Sequence, residues 1–249
     1  MAEQVTYHPN GNVRERCSLI DGQLDGAATT YDESGNLVRE AAFKAGKLDG
    51  EVISYTNGRV TQKAAFAGGE LNGPTSIFGS DGWIAEKMMY SRGKPNGESL
   101  VYRNGAIQSR SIYVDGLLQG EFISYDEAGN VVGRAIYKNG KLEGESVWFN
   151  KEGTVVRRAA YSNGMLNGDR IDYFNSGEIR EKASYKDDKL EGEFTRYHEG
   201  GLVAERAFYR DGKQYGDKLE FDESGELKDE NSPKSTTGFR RLLTRIKGQ

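Results

Sequence analysis

The chain has 249 residues and a net charge of −4, a length typical of one large domain or two small ones. Charged residues make up 29% of the sequence, hydrophobic residues only 36%, and glycine reaches 33 residues, which excludes a wide apolar core. Fourteen tyrosines and ten phenylalanines in a regular pattern argue equally against a disordered chain. A thin, elongated fold satisfies both constraints.

The N-terminal residues give no sign of secretion or membrane insertion. Residues 1–7 have neither the basic nor the apolar region of a signal peptide, and no apolar run approaches the roughly 18 residues that span a bilayer. Cys17 is the only cysteine, so an intramolecular disulfide is impossible. We therefore expect a cytoplasmic protein.

From residue 7 onward, an aromatic residue recurs every 23 or 24 residues and marks about ten repeats. These head positions are Tyr7, Tyr31, Tyr55, Phe78, Tyr102, Tyr125, Phe149, Tyr173, Tyr197 and Phe221. We predict one β-hairpin per repeat and an all-β, elongated, single-layer antiparallel meander over residues 1–227.

Three glycine positions in each repeat predict the turns. Pairs such as Asp21-Gly22 and Asn139-Gly140 tolerate φ > 0 at both residues and predict two-residue type I′ turns. Residues 32–35 are typical of a longer hairpin loop. The third glycine, such as Gly50, falls inside a strand and predicts a bulge or a close approach of two backbones.

Between the turns, side chains alternate between the two faces of each strand. Two residues before the aromatic residue that closes a strand lies the central position, where we predict small, packed side chains. It holds Cys17, Ala41, Ala64, Ser111, Ala135, Ala159, Ala183 and Ala207, with Met88 as the exception.

This layout resembles the MORN repeat family, and more closely its bacterial variant. The matching residues in one repeat are Tyr137, Gly140, Lys141, Leu142, Gly144, Glu145, Phe149 and Gly153. The resemblance covers residues 7 to about 227 and implies an open meander of hairpins. The chain lacks the further glycine found two residues after the repeat glycine in membrane-associated eukaryotic members, where it has Val52 or Phe122 for example.

Charges recur at two positions in each repeat. The basic position, three residues before the closing aromatic, holds Arg16, Lys63, Lys87, Arg110, Arg134, Arg158, Lys182 and Arg206, with Glu40 as the exception. The acidic position, after the third glycine, holds Glu51, Glu98, Glu121, Glu145, Asp169, Glu193 and Asp217. We predict that the two sets pair across neighbouring strands. The alternative is a row of free cations that grips an anionic partner.

Four aromatic residues stand at positions that are otherwise polar: Phe122, Trp148, Phe194 and Phe208. We predict that they are exposed and that, with Arg110, Arg134 and Arg158, they contact a protein partner.

The residues that carry catalysis or bind cofactors are scarce. His8 and His198 are far apart in the repeat array, and Cys17 takes the central position that alanine fills elsewhere. Gly68-Gly69 lacks the pattern of a phosphate-binding loop. We therefore predict neither an enzyme nor a metal or cofactor site.

After a linker at residues 228–235, residues 236–249 predict a short basic amphipathic helix. Its apolar residues are Phe239, Leu242, Leu243 and Ile246, and its basic residues are Arg240, Arg241, Arg245 and Lys247. Three roles stay open: capping the last hairpin, weak contact with an anionic membrane, and docking on a partner.

The function expected from these features is a non-catalytic scaffold that binds a protein. The resemblance to the bacterial variant, whose members are commonly regarded as antitoxins, implies an immunity-type neutraliser of a toxin or secreted effector. The alternative is a membrane-associated scaffold that uses the basic C-terminal helix. Without residues 236–249 the net charge is −8, which disfavours a nucleic-acid partner.

Overall fold

A computed structural model describes residues 2–228, which contain 21 strands and no helix. The all-β prediction is confirmed for these residues. The predicted C-terminal helix (236–249) lies outside them, as does the predicted linker beyond Lys228. The chain divides into two units, Met1–Met165 and Leu166–Gln249.

In the first unit, sixteen strands follow one another in an antiparallel meander. They are β1 Ala2–Tyr7, β2 Val13–Ile20, β3 Gln23–Tyr31, β4 Leu37–Lys44, β5 Lys47–Thr56, β6 Arg59–Ala67, β7 Glu70–Phe78, β8 Ile84–Ser91, β9 Lys94–Arg103, β10 Ala106–Val114, β11 Leu117–Leu118, β12 Gly120–Tyr125, β13 Val131–Lys138, β14 Lys141–Leu142, β15 Gly144–Phe149 and β16 Val155–Ser162. Two of the predicted hairpin strands are each broken by one residue, Gln119 between β11 and β12 and Glu143 between β14 and β15.

The second unit holds the remaining strands, again paired antiparallel in chain order. They are β17 Met165–Tyr173, β18 Ile179–Lys186, β19 Lys189–Tyr197, β20 Val203–Arg210 and β21 Lys213–Glu220.

The predicted type I′ turns are confirmed by the backbone angles. Asp21 and Gly22 have φ of 50° and 78°, and Asn139 and Gly140 have φ of 52° and 78°. The one repeat without glycine at this turn has Asp188 at φ 65°, and its carboxylate accepts a hydrogen bond from Leu166 N at 2.7 Å. This bond stabilises a backbone conformation that costs a side chain about 1–2 kcal/mol.

The turns also connect successive repeats. The glycine N–H of one turn donates to a carbonyl in the preceding repeat, as in Gly140 N to Leu118 O at 2.8 Å. The residue before the turn glycine is also bound by the preceding repeat: Asn163 N donates a hydrogen bond to Glu143 Oε2 at 2.9 Å. Each repeat therefore fixes the position of the next turn.

The predicted bulges at the third glycine are confirmed. Between Ala41↔Val52 and Phe43↔Leu48, one residue of β4 faces three residues of β5, with Gly50 in the middle. A Cβ atom on Gly50 would lie 2.9 Å from the Cβ of Ala42. The predicted bulge is therefore present at Gly50, and the close contact there would be with a side chain rather than with a second backbone.

The core is the row of small residues at the central position and its strand partners. Cys17, Ala41, Ala64, Ser111, Ala159, Ala183 and Ala207 are buried as predicted, whereas Ala135 and Met88 are half-buried. The partners opposite this row include Ala28, Val52 and Ser146, which are also buried. Small side chains are covered because the longer neighbours on the same face close over them.

Candidate partner-binding surface

The basic and acidic positions form the predicted cross-strand ladder. The nitrogen–oxygen distances are 2.7 Å for Arg110–Glu98, 4.0 Å for Arg134–Glu121, 3.2 Å for Arg158–Glu145, 3.0 Å for Lys182–Asp169 and 2.9 Å for Arg206–Glu193. Arg16 is 4.0 Å from Glu3. Since most of these side chains are exposed, each pair contributes only about 0–1 kcal/mol to stability.

The ladder decides between the two alternatives for the basic position. The side chains of Arg110, Arg134 and Arg158, which we predicted to contact a partner, are directed toward carboxylates and do not form a row of free cations. Lys63 and Lys87 make no ion pair within residues 2–228.

At Asp169, the pKa is lowered first by the hydrogen bond from Ser184 Oγ and then by Lys182.

The predicted exposure of the four aromatic residues is wrong. Phe122, Trp148, Phe194 and Phe208 are all half-buried. Phe122 packs edge-on against Tyr137, Phe194 packs edge-on against Tyr209, and Phe208 packs against Tyr215, with ring centroids 6.1–6.2 Å apart.

Trp148 is covered in a different way. It pairs with Gly133 on β13, and a Cβ atom there would lie 3.8 Å from Trp148 Cδ1 and 2.7 Å from Ser124 Oγ. The indole therefore packs over backbone that carries no side chain.

Arg170 forms a polar cluster in the second unit that the sequence did not predict. Its guanidinium contacts Asp172 at 3.0 Å and Glu181 at 2.5 Å, and it donates to Tyr185 Oη at 3.0 Å. Burial alone would lower the pKa of Arg170, but Tyr185 and the two carboxylates raise it. The guanidinium is thus held by side chains of its own unit.

Five exposed apolar side chains lie together in the first unit and are called the apolar patch. They are Met89, Ile112, Val114, Leu117 and Ile136, with 39–49% of their surface exposed. Val114 pairs directly with Leu117, and Ile112 lies two residues before Val114, so these three share one face of the sheet.

Met89 and Ile136 hold the same repeat position as Ile112 on β8 and β13, two strands away on either side. Glu98 lies opposite Ile112, and Glu121 lies opposite Ile136. Because both carboxylates are directed toward arginines of the ladder, the apolar side chains between them are left open to solvent.

Comparison of repeat positions would have found the apolar patch. The position of Ile112 holds Ser18, Ala42, Ala65 and Ala160 in other repeats of this unit. The position of Leu117 holds Gln23, Lys47, Glu70, Lys94, Lys141 and Met165. Met89 and Ile136 also occupy the position of Ile112, but their repeats have Lys94 and Lys141 at the position of Leu117. Among the repeats of this unit, large apolar residues therefore occur at both positions in one repeat, that of Ile112.

Comparison with known families identifies the repeats. The family described as MORN repeat variant matches residues 24–45, 118–139 and 166–187. These three segments are therefore MORN variant repeats. Each matched segment spans the longer loop of one hairpin and most of the strands on either side of that loop.

The solved structures that resemble this chain are distant. A TarM mutant of S. aureus in complex with fondaparinux, alpha-GlcNAc-glycerol and UDP has 13% identity and a TM-score of 0.29, over 40% of this chain and 19% of that one. The GtfA/B complex bound to UDP and GlcNAc has 11% identity and a TM-score of 0.22, over 43% and 21%. The Photorhabdus luminescens Tc holotoxin pore has 12% identity and a TM-score of 0.22, over 88% and 14%.

This chain therefore spans about a fifth or less of the length of those proteins, and the similarity carries no functional argument. No curated protein matches the sequence.

The remaining candidates for chemistry are engaged in contacts within and between the repeats. His8 Nε2 is 2.9 Å from Tyr31 O, and His198 Nε2 makes the equivalent contact with Phe221 O at 3.0 Å. Cys17 is buried, and burial, followed by the charge of Glu15, raises the pKa of its thiol. Residues 2–228 contain no cluster of metal-binding side chains and no helix able to cross a bilayer.

One further exposed aromatic residue distinguishes a single repeat. Trp83 is 64% exposed and lies over the turn at Gly105, whose added Cβ would be 3.7 Å from the indole. Other repeats of this chain place Asn36, Asn130 or Thr154 at this loop position.

Proposed function

We propose that this chain is a non-catalytic MORN repeat scaffold that binds a protein partner through the apolar patch. The observation that carries the proposal is the clustering of exposed Ile112, Val114 and Leu117 in one repeat. Within residues 2–228, this is the repeat with large apolar residues at the positions of both Ile112 and Leu117. Exposed apolar clusters on soluble proteins mark interaction sites, because burying them on binding removes apolar surface from water.

The surroundings of the patch suit a protein interface. Arg110 and Arg134 lie beside it and are paired with Glu98 and Glu121, so the rim is polar but carries no strong net charge. An apolar centre with a polar rim is the usual anatomy of such an interface. The regular ladder supports a non-catalytic role, because its carboxylates pair with cations in repeat after repeat and do not form one distinct acid–base site.

The class of partner follows from the resemblance to the bacterial MORN variant. We propose that the partner is a toxin or secreted effector, and that the chain neutralises it in the manner of an antitoxin or immunity protein. The proteins encoded next to this chain are the first candidates to test.

Binding of those candidates is measured by calorimetry with the full chain and two matched variants. Val114→Ala and Ile20→Ala alter the same repeat position, with 46% and 38% of the residue exposed, inside and outside the patch. We expect Val114→Ala combined with Leu117→Ala to weaken binding at least tenfold. Ile20→Ala combined with Gln23→Ala, at the equivalent pair of another repeat, should change binding by less than twofold.

Two further variants test the aromatic residues selected from the sequence. Because Phe122 and Trp148 are half-buried, Phe122→Ala and Trp148→Ala should lower the unfolding temperature and leave the affinity for the partner nearly unchanged. If they abolish binding with the fold intact while the Val114 and Leu117 variants bind normally, the binding surface lies on the other face of the sheet.

A further inference from the structure

β21 is the last strand of the second unit. On one side, it pairs with β20 from Glu205↔Glu220 to Arg210↔Lys213. Among residues 2–228, no strand runs along its other side. An unpaired edge presents free N–H and C=O groups and favours association with another chain unless it is covered.

The chain turns back onto this outer edge at residues 222–228. The loop after Phe221 is closed by the hydrogen bond from Asp222 N to Glu226 O at 2.9 Å. Leu227 then bridges Phe221, and Lys228 N donates to Glu220 O at 2.9 Å. These contacts lie on the outer side of β21, because Phe221 N donates to Ala204 O on the β20 side.

The position of Leu227 matches the start of a strand in earlier repeats. Leu227 follows its head aromatic by six residues, as Val203 follows Tyr197, and Val203 begins β20. Leu227 and Lys228 therefore have the position and register that begin a further strand in earlier repeats.

Charge favours contact between residues 229–249 and the second unit. Residues 166–228 contain 16 acidic and 11 basic residues, a net charge of −5, whereas residues 229–249 contain two acidic and five basic residues, a net charge of +3. Exposed apolar side chains lie near the edge, namely Tyr215 on β21 and Leu227 beyond it, with 46% and 42% of their surface exposed. The eight residues of β21 extend about 26 Å at ~3.3 Å per residue, which a segment of 21 residues can cover.

We propose that residues 229–249 cover the outer edge of β21 within the same chain. The segment satisfies the free backbone groups of β21 and places its basic residues against the acidic second unit. It thereby keeps the MORN repeats from joining edge to edge with another molecule. This assignment is independent of the partner bound at the apolar patch.

Hydrogen exchange of the full chain tests the proposal. The test variant carries Arg240→Glu, Arg241→Glu and Arg245→Glu, and the control carries Lys44→Glu, Lys47→Glu and Lys138→Glu, the same charge change at exposed positions of the first unit. We expect the amides of β21 to exchange at least tenfold faster in the test variant than in the unmodified chain and the control. The β1 amides should exchange equally in all three proteins.

Equal exchange of β21 in the test and control variants would overturn the proposal. Protection of β21 that rises with protein concentration in the unmodified chain would overturn it in favour of a second copy as the covering partner. The membrane alternative is tested with vesicles containing phosphatidylserine. If these bind the unmodified chain but not the test variant, and β21 exchanges fast without vesicles, the segment belongs to the membrane and the proposal fails.

Discussion

Gly50 allows the two physical reasons for glycine at its repeat position to be separated by measurement. Its φ is 121°, and an added Cβ would lie 2.9 Å from the Cβ of Ala42 on the neighbouring strand. Gly50→Ala should therefore incur backbone strain of about 1–2 kcal/mol and overpacking of about 1–3 kcal/mol. Reduced entropy of the unfolded chain offsets about 0.4–1 kcal/mol of this cost.

A double-mutant cycle with Ala42→Gly isolates the overpacking. The second substitution removes the atom that the new Cβ would contact and leaves the strain at residue 50 in place. We expect Gly50→Ala and Ala42→Gly together to destabilise the protein by about 1–3 kcal/mol less than the sum of the single variants. Gly144→Ala is the control, because Gly144 also has positive φ, 79°, but no atom lies within 4 Å of its added Cβ.

Urea unfolding followed by circular dichroism gives the free energies of unfolding. Because repeat proteins can unfold in steps, amide exchange in β4 and β5 should accompany it as a local measure. Equal costs for Gly50→Ala and Gly144→Ala, with no recovery of stability from Ala42→Gly, would refute overpacking as a reason for glycine at this position.

Three other predictions concern the turns, the loops and the tryptophans. Glu143→Ala should destabilise the protein by about 1 kcal/mol and speed exchange of the Asn163 amide, whereas Glu143→Gln, which keeps an acceptor, should have a smaller effect in both measurements. The pKa of Asp126 is lowered below 3.8, first by the side chain of the asparagine four residues later and then by backbone N–H groups. The contribution of Asp126 to stability is therefore present above its unfolded pKa and is lost as pH falls through its folded pKa. In Asp126→Asn, the urea concentration at the unfolding midpoint should fall less between pH 5 and pH 2 than it does in the unmodified chain. Acrylamide should quench the fluorescence of exposed Trp83 more strongly than that of half-buried Trp148, measured in variants that each keep one tryptophan; equal quenching would contradict the structure.

The regular features of the fold could be predicted from the sequence because they depend on local geometry. Asn-Gly and Asp-Gly pairs readily adopt positive φ at both residues, so the turns did not depend on distant contacts. Gly50 was predicted to lie in a bulge for the same reason, and alternation along the strands placed Arg110 and Glu98 on one face, where they pair.

Burial of the aromatic residues could not be predicted in the same way. Alternation places Phe122 on a face but does not show that Tyr137 covers its ring. Trp148 stands at a repeat position that is otherwise polar, which predicts exposure, yet Gly133 on the neighbouring strand leaves space for the indole. The degree of burial depends on which side chains lie on both adjacent strands, and the bulges shift that pairing.

The sequence by itself determined the repeat, its hairpins, its turns and the pairing of its charges, since each follows from residues within one period. Only the tertiary structure decided which apolar side chains remain open to solvent. Ile112 is exposed because the carboxylates beside it are drawn toward arginines, while Phe194 is covered by Tyr209 on the next strand. The exposure of a side chain depends on the side chains of both adjacent strands, so it is determined only when three strands are assembled.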